Sequence, residues 1–218
     1  MYDLLSFLGT RISSFDRDIL AAVNHLVRNT FLDAVMPYIT KLGDAGIVWI
    51  ALALILLIPK KTRRTGAAIG VSLLLGVIIG NGILKNLIAR TRPYDIANPV
   101  LSRSKLLVSP PTDYSFPSGH TLASFEAATA LYKDHTVYGF LAFVLALLIA
   151  FSRIYLQVHY PSDVLGGAIL GFLLGLTGSS IVRAVCDKWA ARKEKKLAEA
   201  AEDNKEEDKK PSDVSVHY

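Results

Sequence analysis

Three short clusters of polar residues interrupt an otherwise apolar chain, and their residue types are those that bind anions and transfer protons. The first cluster holds Lys85 and, seven residues later, Arg92, which is followed by Pro93. On a continuing helix this spacing is nearly two turns, so both cations would share one face. Pro93 predicts that the helix stops at or before Arg92. Alone, such a pair is equally explained by cations that reach from a helix end into polar surroundings.

The second cluster is the tetrapeptide Pro117-Ser118-Gly119-His120. Ser118 is suited to cap the start of a helix, and the unpaired backbone N–H groups of a first helical turn bind anions. Gly119 allows the backbone to approach a ligand closely, and His120 can give or take a proton near neutral pH. A purely structural cap beside an unrelated histidine would produce the same four residues.

The third cluster begins at Ser152-Arg153 and ends at His159 and Asp163. Pro161 fits the first turn of a helix, which would put Asp163 in that turn and His159 just before it. A carboxylate at this spacing can hold one imidazole nitrogen and leave the other free to act. The alternative is a plain capping contact between the two side chains.

Together the clusters supply three cations, one anion-binding helix start, two histidines and an orienting carboxylate. Phosphoryl transfer needs such a set, namely charges around the phosphoryl oxygens, a nucleophile and a proton donor. Because like charges repel, three grouped cations are costly, and we interpret the clusters as one site.

The elements that must position these residues are predicted to be membrane-spanning helices. The 218 residues are 51% hydrophobic and only 20% charged, with one cysteine. This composition excludes a soluble fold, a disordered chain and a disulfide-stapled module. A spanning helix needs about 20 mostly apolar residues. The predicted spans are residues 45–58, 65–89, 121–132, 136–152 and 164–185.

The fold class is therefore an all-α, polytopic membrane bundle with five transmembrane helices, or six if residues 17–41 also cross obliquely. The third span is short and carries Glu126, so whatever precedes it would sit below the membrane surface. Glu126 is either a functional intramembrane acid or a neutral or paired acid that faces other helices. Five glycines of the last span predict close helix contact. They are Gly166, Gly167, Gly171, Gly175 and Gly178.

Loop charge predicts the orientation of the bundle. Basic residues at 60–64 and 188–196 indicate cytoplasmic segments, so the loops with the three clusters lie outside. Four cations then contradict the charge rule and need another explanation. They are Arg90, Arg92, Arg103 and Lys105.

Three regions are expected along the chain. Residues 1–44 are predicted to form amphipathic helices along the outer interface, and residues 45–186 form the transmembrane catalytic core. Residues 187–218 hold 8 basic and 9 acidic side chains and few large apolar ones. The first part of this cytoplasmic tail would extend the last helix, and the rest is predicted to be disordered.

The three clusters resemble the signature of the type 2 phosphatidic acid phosphatase (PAP2) family, K-x6-RP, then PSGH, then SR-x5-H-x3-D. Every signature position is matched, from Lys85 through His120 to Asp163. The resemblance covers residues 17–185 and leaves out the tail. The same signature occurs in soluble haloperoxidases that bind vanadate, but the predicted spans argue against that branch.

The resemblance implies a metal-independent phosphatase without a cofactor and an all-helical core. By this resemblance, His159 corresponds to the nucleophile of such enzymes and Asp163 to the residue that orients it. His120 corresponds to the histidine that protonates the leaving oxygen and then activates water. The phosphoryl oxygens would be held by the remaining signature residues. These are Lys85, Arg92, Ser118, Gly119 and Arg153.

The expected partners are the bilayer and a membrane lipid phosphate, and nucleic acid is not among them. Compact bacterial members of the family frequently act on undecaprenyl diphosphate, which is the first choice of substrate. Phosphatidate and phosphatidylglycerophosphate are the alternatives. A non-catalytic anion or lipid transporter is the alternative from another class, although binding alone does not need two histidines and an aspartate.

Overall fold

The computed structural model describes residues 2–97 and 99–207, with side chains described for residues 10–97 and 99–199. All regular elements within these residues are helical. They are α1 (Tyr2–Ala22), α2 (Thr30–Lys41), α3 (Ile47–Leu57), α4 (Arg63–Ile88), α5 (Gly119–Asp134), α6 (Thr136–Tyr155) and α7 (Pro161–Glu207). The all-α membrane bundle predicted from the sequence is confirmed.

Three helices of the described chain are long and apolar enough to cross a membrane, namely α4, α6 and the Pro161–Glu199 part of α7. A fourth crossing arises if α2 and α3, which meet at a bend of 40°, form one broken span. The short helix α5 has 16 residues and carries Glu126. The number of five spans therefore remains a prediction.

Helix α5 lies at the centre of the bundle and packs against α4, α6 and α7. Its core positions are small, as at Ala127, Ala128 and Ala130, which are 0% exposed. Small side chains let neighbouring helices approach closely, as membrane interiors require. The outward faces of the other helices carry exposed large apolar side chains such as Leu54, Val137 and Leu173, which suit contact with lipid.

Three of the five glycines of α7 face this central helix, while Gly178 faces Ser72 on α4 and Gly166 faces Phe116. A Cβ atom added to Gly171 would lie 2.5 Å from the backbone oxygen of Leu122, and one added to Gly167 would lie 2.9 Å from that of Ser118. A Cβ atom added to Gly175 would lie 2.6 Å from the side chain of Thr129 and 2.8 Å from the backbone oxygen of Glu126. The glycine face therefore lets α7 contact the backbone of α5 and fixes the start of α5 beside the start of α7.

The N-terminal helices pack on the ends of α6 and α7 near the loop that joins them. A second core cluster forms there from Val23, Met36, Tyr155, Leu156 and Val158. Beyond the end of α2, the chain turns into α3 through Ala45 and Gly46, both with positive φ. This corner holds α2 and α3 against the start of α5.

Helix α7 continues to Glu207, well beyond its apolar part. The last helix therefore extends into the charged tail. Charged i, i+4 neighbours such as Lys195 and Glu199, 3.6 Å apart, accompany this extension. Residues 208–218, the rest of the tail predicted to be disordered, lie outside the described residues.

Candidate active site

The cations of the first cluster come from the end of α4 and the loop that follows. The helix ends at Ile88 because Ala89 adopts a left-handed conformation, with φ 47°. This agrees with the prediction that the helix stops before Arg92. Arg92 is 4% exposed and donates to the carbonyl oxygens of Asp113 and Val158 at 2.7 Å and 2.6 Å. These bonds aim its guanidinium at the loop between α6 and α7.

The second cluster opens α5 as predicted, but Ser118 acts differently from the expectation. Ser118 occupies the N-cap position, yet its hydroxyl caps no backbone amide of the first turn. It accepts instead from the hydroxyl of Thr121 at 3.0 Å. The serine side chain thus does not occupy the amides of the first turn, which stay available for an anion.

His120 lies between two partners of opposite charge. Its Nε2 atom is 2.8 Å from Oδ1 of Asp44 and 3.4 Å from Nη1 of Arg153. Asp44 comes from the α2–α3 corner, which approaches closely because Gly43 lacks a side chain: an added Cβ would lie 2.7 Å from the His120 ring. Burial and the charge of Arg153 lower the pKa of His120 to about 4. The carboxylate of Asp44 opposes this shift because it stabilises the protonated imidazole, which is the form that can act as an acid.

Arg153 lies in the last turn of α6 and is 4% exposed. Its guanidinium donates to the hydroxyl of Thr40 on α2, while its Nε atom has no hydrogen-bond partner in the part of the chain that the structure describes. A buried guanidinium with an unpaired donor retains a bonding position for an anion.

His159 is 2% exposed and sits in the loop between α6 and α7, with its two ring nitrogens facing different partners. Nη1 of Arg92 is 3.2 Å from Nε2, and Oδ2 of Asp163 is 3.6 Å from Nδ1. An arginine only donates, so Nε2 carries the lone pair and the proton lies on Nδ1, toward Asp163. This tautomer leaves a lone pair on Nε2.

Burial lowers the pKa of His159 to about 3, and the nearby charges of Arg92 and Arg153 act in the same direction. The carboxylate of Asp163, whose Oδ2 is 3.6 Å from Nδ1 and beyond hydrogen-bond distance, raises the pKa by its charge but does not outweigh burial. The imidazole is therefore neutral at pH 7, as a nitrogen nucleophile must be.

Asp163 is held by neighbours on both of its oxygens. Oδ2 accepts from the Ser115 hydroxyl at 2.5 Å and from the Tyr160 amide at 2.9 Å. Oδ1 accepts from Nη1 of Arg90 at 2.5 Å. The carboxylate is 0% exposed, and these bonds fix its plane beside His159.

A cavity of about 580 Å³ joins most of the predicted site residues. Its lining includes Lys85, Arg92, Gly119, His120, Arg153 and His159. Ser118 and Asp163 are fully buried behind this wall, where the Ser118 amide donates to the Asp163 carbonyl at 3.2 Å. The structure thus brings all eight predicted residues to one place.

The cavity extends to Glu126, which is 1% exposed and whose Oε1 atom has no hydrogen-bond partner within residues 10–97 and 99–199. Asn81 lines the same cavity, and its Oδ1 atom is likewise unpaired. Among the described residues Glu126 has no ion-pair partner, and its carboxyl packs against Gly76 of α4 while lining the cavity. A paired acid is thus excluded within these residues, whereas a functional acid and a neutral acid that faces other helices both fit this position.

Asp113 was missed by the sequence analysis, although it binds two predicted phosphate ligands. Its carboxylate forms ion pairs with Lys85 and, at 2.6 Å, with Arg92. Burial alone would raise the pKa of Asp113, but the hydrogen bond and charge of Lys85, together with Arg92, lower it to about 2. Its position shortly before the PSGH cluster was the only available signal.

Asp44, Asp16 and Arg90 were also missed as site residues. Arg90 had been noted only as a cation on the wrong side of the charge rule. The structure explains it by its ion pairs with Asp163 and Asp16 at 2.5 Å and 2.6 Å. Asp16 lay within a pattern interpreted as an interfacial helix, so its spacing gave no reason to connect it with the site.

Comparison with known proteins agrees with this arrangement. The family model of the PAP2 superfamily matches residues 65–185. The chain is 34% identical over 164 residues to the undecaprenyl-diphosphatase of Sulfolobus acidocaldarius, covering 75% of this chain and 76% of that protein. It is also 34% identical over 164 residues to phosphatidylglycerophosphatase B of Bacillus subtilis, covering 68% of this chain and 74% of that protein.

A solved structure has the same architecture. The transmembrane PAP2 type phosphatidylglycerolphosphate phosphatase from Bacillus subtilis matches with a TM-score of 0.63 and 30% sequence identity, covering 82% of this chain and 87% of that chain. The matched family region includes all three polar clusters and the helices that carry them. On its sequence, its fold and the convergence of those clusters, the chain belongs to the PAP2 superfamily.

Proposed function

We propose that this chain is an integral-membrane phosphatase that hydrolyses a lipid phosphate or diphosphate, with undecaprenyl diphosphate to undecaprenyl phosphate as the first choice. The observation that carries the proposal is the environment of His159. Its Nε2 lone pair points to Arg92 in a cavity with two further cations, and Asp163 lies behind its Nδ1 proton. Anion binding alone does not require an oriented, neutral imidazole.

In the first step Nε2 of His159 attacks the phosphorus atom of the substrate. An N–P bond forms, and the bond between phosphorus and the leaving oxygen of the lipid breaks. His120 gives its proton to that oxygen. The imidazole gains positive charge as the N–P bond forms, and the carboxylate of Asp163 stabilises this charge through the Nδ1 proton.

In the second step His120, now neutral, removes a proton from water. The resulting oxygen attacks phosphorus, the N–P bond breaks, and inorganic phosphate leaves with His159 again neutral. One group thus serves first as an acid and then as a base, which two-step hydrolysis requires. The interaction of His120 with Asp44 at 2.8 Å supports the protonated form, and Arg153 at 3.4 Å favours its return to the neutral form.

Charge neutralisation around the phosphoryl group is assigned to Lys85, Arg92 and Arg153, with Ser118 and the amide of Gly119 at the start of α5. Three cations in a partly buried cavity supply the stabilisation that a metal ion supplies elsewhere. We therefore propose a metal-independent reaction.

The substrate proposal rests on the relatives. Undecaprenyl-diphosphatase and phosphatidylglycerophosphatase B are equally similar to this chain in identity, so both substrate classes are candidates. We propose further that the site opens to the extracytoplasmic side. Arg64 pairs with Asp187 at 3.4 Å, which supports one shared cytoplasmic end for the basic link at 60–64 and the start of the tail.

The test is phosphate release by the purified protein from a panel of lipid phosphates and diphosphates in detergent with excess chelator. We expect turnover of at least one substrate class, with undecaprenyl diphosphate preferred. His159→Ala should lower turnover by about 10³-fold or more, as loss of a nucleophile does. Unchanged turnover in this variant would contradict the proposed mechanism, and loss of wild-type activity in chelator would contradict metal independence.

Transport without chemistry is the competing function. A phosphatase that follows the two steps above accumulates an acid-labile phosphohistidine after rapid quenching, and His159→Ala removes it. His120→Ala should still accept the phosphoryl group, slowly, but release it poorly. Binding of lipid phosphate without any phosphorylated protein would favour the transporter.

A further inference from the structure

Helix α1 contributes a buried carboxylate to the catalytic end of the bundle, although it lies outside the matched family region. Asp16 is 0% exposed. Its Oδ1 accepts from the backbone amide of Ser162 at 2.8 Å, and its Oδ2 accepts from the Ser162 hydroxyl and from Arg90, both at 2.6 Å. A fully buried carboxylate needs such compensation, so Asp16 has a defined partner set rather than a surface role.

Arg90 joins Asp16 to the catalytic aspartate. One guanidinium nitrogen, Nη1, binds Oδ1 of Asp163 at 2.5 Å, while Nη2 binds Asp16. The guanidinium also lies 4.0 Å above the ring of Tyr160, which fixes its plane. With Oδ1 of Asp163 occupied by Arg90, the carboxylate presents Oδ2 to His159.

The net charge of Asp163, Arg90 and Asp16 together determines how strongly this group stabilises a positive charge on His159. Asp163 paired with Arg90 alone would be electrically neutral as seen from His159. The second carboxylate, Asp16, restores one net negative charge to the group. That charge matters because the imidazole becomes positive when the N–P bond forms, and charges in a buried site interact strongly.

We propose that Asp16 and Arg90 are positioning residues for the phosphoryl transfer, through which α1 orients the Asp163 carboxylate and maintains its net negative charge beside His159. The inference rests on the proposed function of His159. It also gives α1 a role beyond interfacial anchoring, because α1 supplies the carboxylate that binds Arg90 on the side away from Asp163. A second contact holds α1 against the loop between α6 and α7, since the side-chain amide of Gln157 in that loop donates to the Leu20 carbonyl at 2.9 Å.

The proposal predicts a particular pattern in a double-mutant cycle. Asp16→Asn removes one negative charge and leaves Arg90 to neutralise Asp163, so kcat should fall by about 100-fold with little change in KM. Residues that hold a catalytic side chain from behind typically change activity by about 10- to 100-fold. Adding Arg90→Gln restores the net negative charge, so the double variant should be about tenfold more active than Asp16→Asn alone.

A purely structural role predicts the opposite, since removal of a second buried partner would lower activity further or leave it unchanged. The matched control is Asp18→Asn, which makes the same charge change at an exposed position on α1 and should retain wild-type kcat. The single-turnover rate of phosphohistidine formation should follow the same order as kcat.

The experiment measures kcat, KM and the phosphorylation rate of these variants, purified in detergent and checked for folding by thermal unfolding. A kcat that falls in the order wild type, double variant, Asp16→Asn overturns a purely structural explanation. A double variant whose kcat is no higher than that of Asp16→Asn overturns the proposal. If Asp16→Asn does not fold, the double variant decides, because it leaves no unpaired charge at this pair: activity within about tenfold of wild type supports the proposal and lower activity overturns it. His159→Ala, measured in parallel, reports separately on the proposed function.

Discussion

At the scale of single residues, the site depends on groups whose properties follow from burial and from their neighbours. His159 is kept neutral by burial among cations, and its lone pair is selected by Arg92, which can only donate. The same nitrogen would be a poor nucleophile on the protein surface at low pH, where it would be protonated. The protonation state of His159 is thus set by its surroundings in the loop between α6 and α7 and not by the histidine alone.

Stability should depend on pH through His159. Its pKa falls from 6.5 to about 3 on folding, so between these values the unfolded chain binds a proton that the folded protein does not. Stability therefore rises with pH across this window and falls as the medium is acidified. From pH 7 to pH 5 the loss attributable to His159 should be about 2 kcal/mol.

This loss is measured as the change in thermal unfolding in detergent at the two pH values. His159→Asn should show a smaller decrease than the wild type, whereas replacement of the exposed His25 by Asn should not alter it. Equal decreases in all three proteins would contradict the assigned shift.

The carboxylate of Asp113 forms ion pairs with Lys85 and Arg92, two cations that the proposed mechanism assigns to phosphate binding. Because its pKa is about 2, it remains charged at any working pH and competes with an anionic ligand. Asp113→Asn should therefore strengthen competitive inhibition by inorganic phosphate, by about tenfold, the effect of about 1.4 kcal/mol.

The control for Asp113 is on the same loop. Asp95→Asn makes the same charge change at a residue that pairs with Arg103 at 3.0 Å instead of with the site, and its inhibition constant should be unchanged. Weaker inhibition in Asp113→Asn would mean that the carboxylate supports phosphate binding.

At the scale of elements, the glycine face of α7 determines how closely α5 and α7 approach. The start of α5 holds Ser118 to His120, and the start of α7 holds Asp163, so the contact between these helices fixes the distance between parts of the site. Gly171 lies against the Leu122 backbone, which cannot move aside as a flexible side chain can.

Gly171→Ala should therefore destabilise the bundle by about 1–3 kcal/mol, the usual cost of overpacking, and lower activity with it. The matched control is Gly70→Ala on α4, because an added Cβ there meets nothing within 4 Å. Alanine favours helix over glycine, so this control should be neutral or slightly stabilising in thermal unfolding. Equal stability of the two variants would show that the α5–α7 interface tolerates an added methyl group.

At the scale of the whole molecule, the polar clusters lie at one end of the bundle and the basic link and tail at the other. The second end is marked by Arg64 with Asp187 and by Thr65 with Asp134, which are 3.4 Å and 2.7 Å apart. This polarity gives the proposed topology a direct test. Ser104 and Cys186, both exposed, lie on the loop near the site and near the end of the apolar part of α7.

A membrane-impermeant thiol reagent should label Ser104→Cys, placed in a Cys186→Ser background, in intact cells. The native Cys186 of the otherwise unchanged chain should be labelled only after lysis. The reversed pattern would put the catalytic end in the cytoplasm and overturn the proposed sidedness while leaving the chemistry intact.

The sequence by itself determined the local features of this protein. Apolar runs predict helices because a buried backbone must satisfy its hydrogen bonds within one segment. The candidate site was predicted from the residue types and spacing within each short cluster and from their resemblance to the PAP2 signature, because neighbours in sequence have a nearly fixed local geometry. Lys85, Arg92, His120 and His159 were identified in this way and line one cavity.

Only the tertiary structure decided which distant residues support the site. Asp16 and Ser162 are 146 positions apart, and no periodicity links them. Asp113 and Asp44 lie in a loop and at a helix corner, where side-chain direction depends on the path of the chain. A contact between distant residues depends on which helix faces meet and at what depth, and these follow from the packing of the whole bundle.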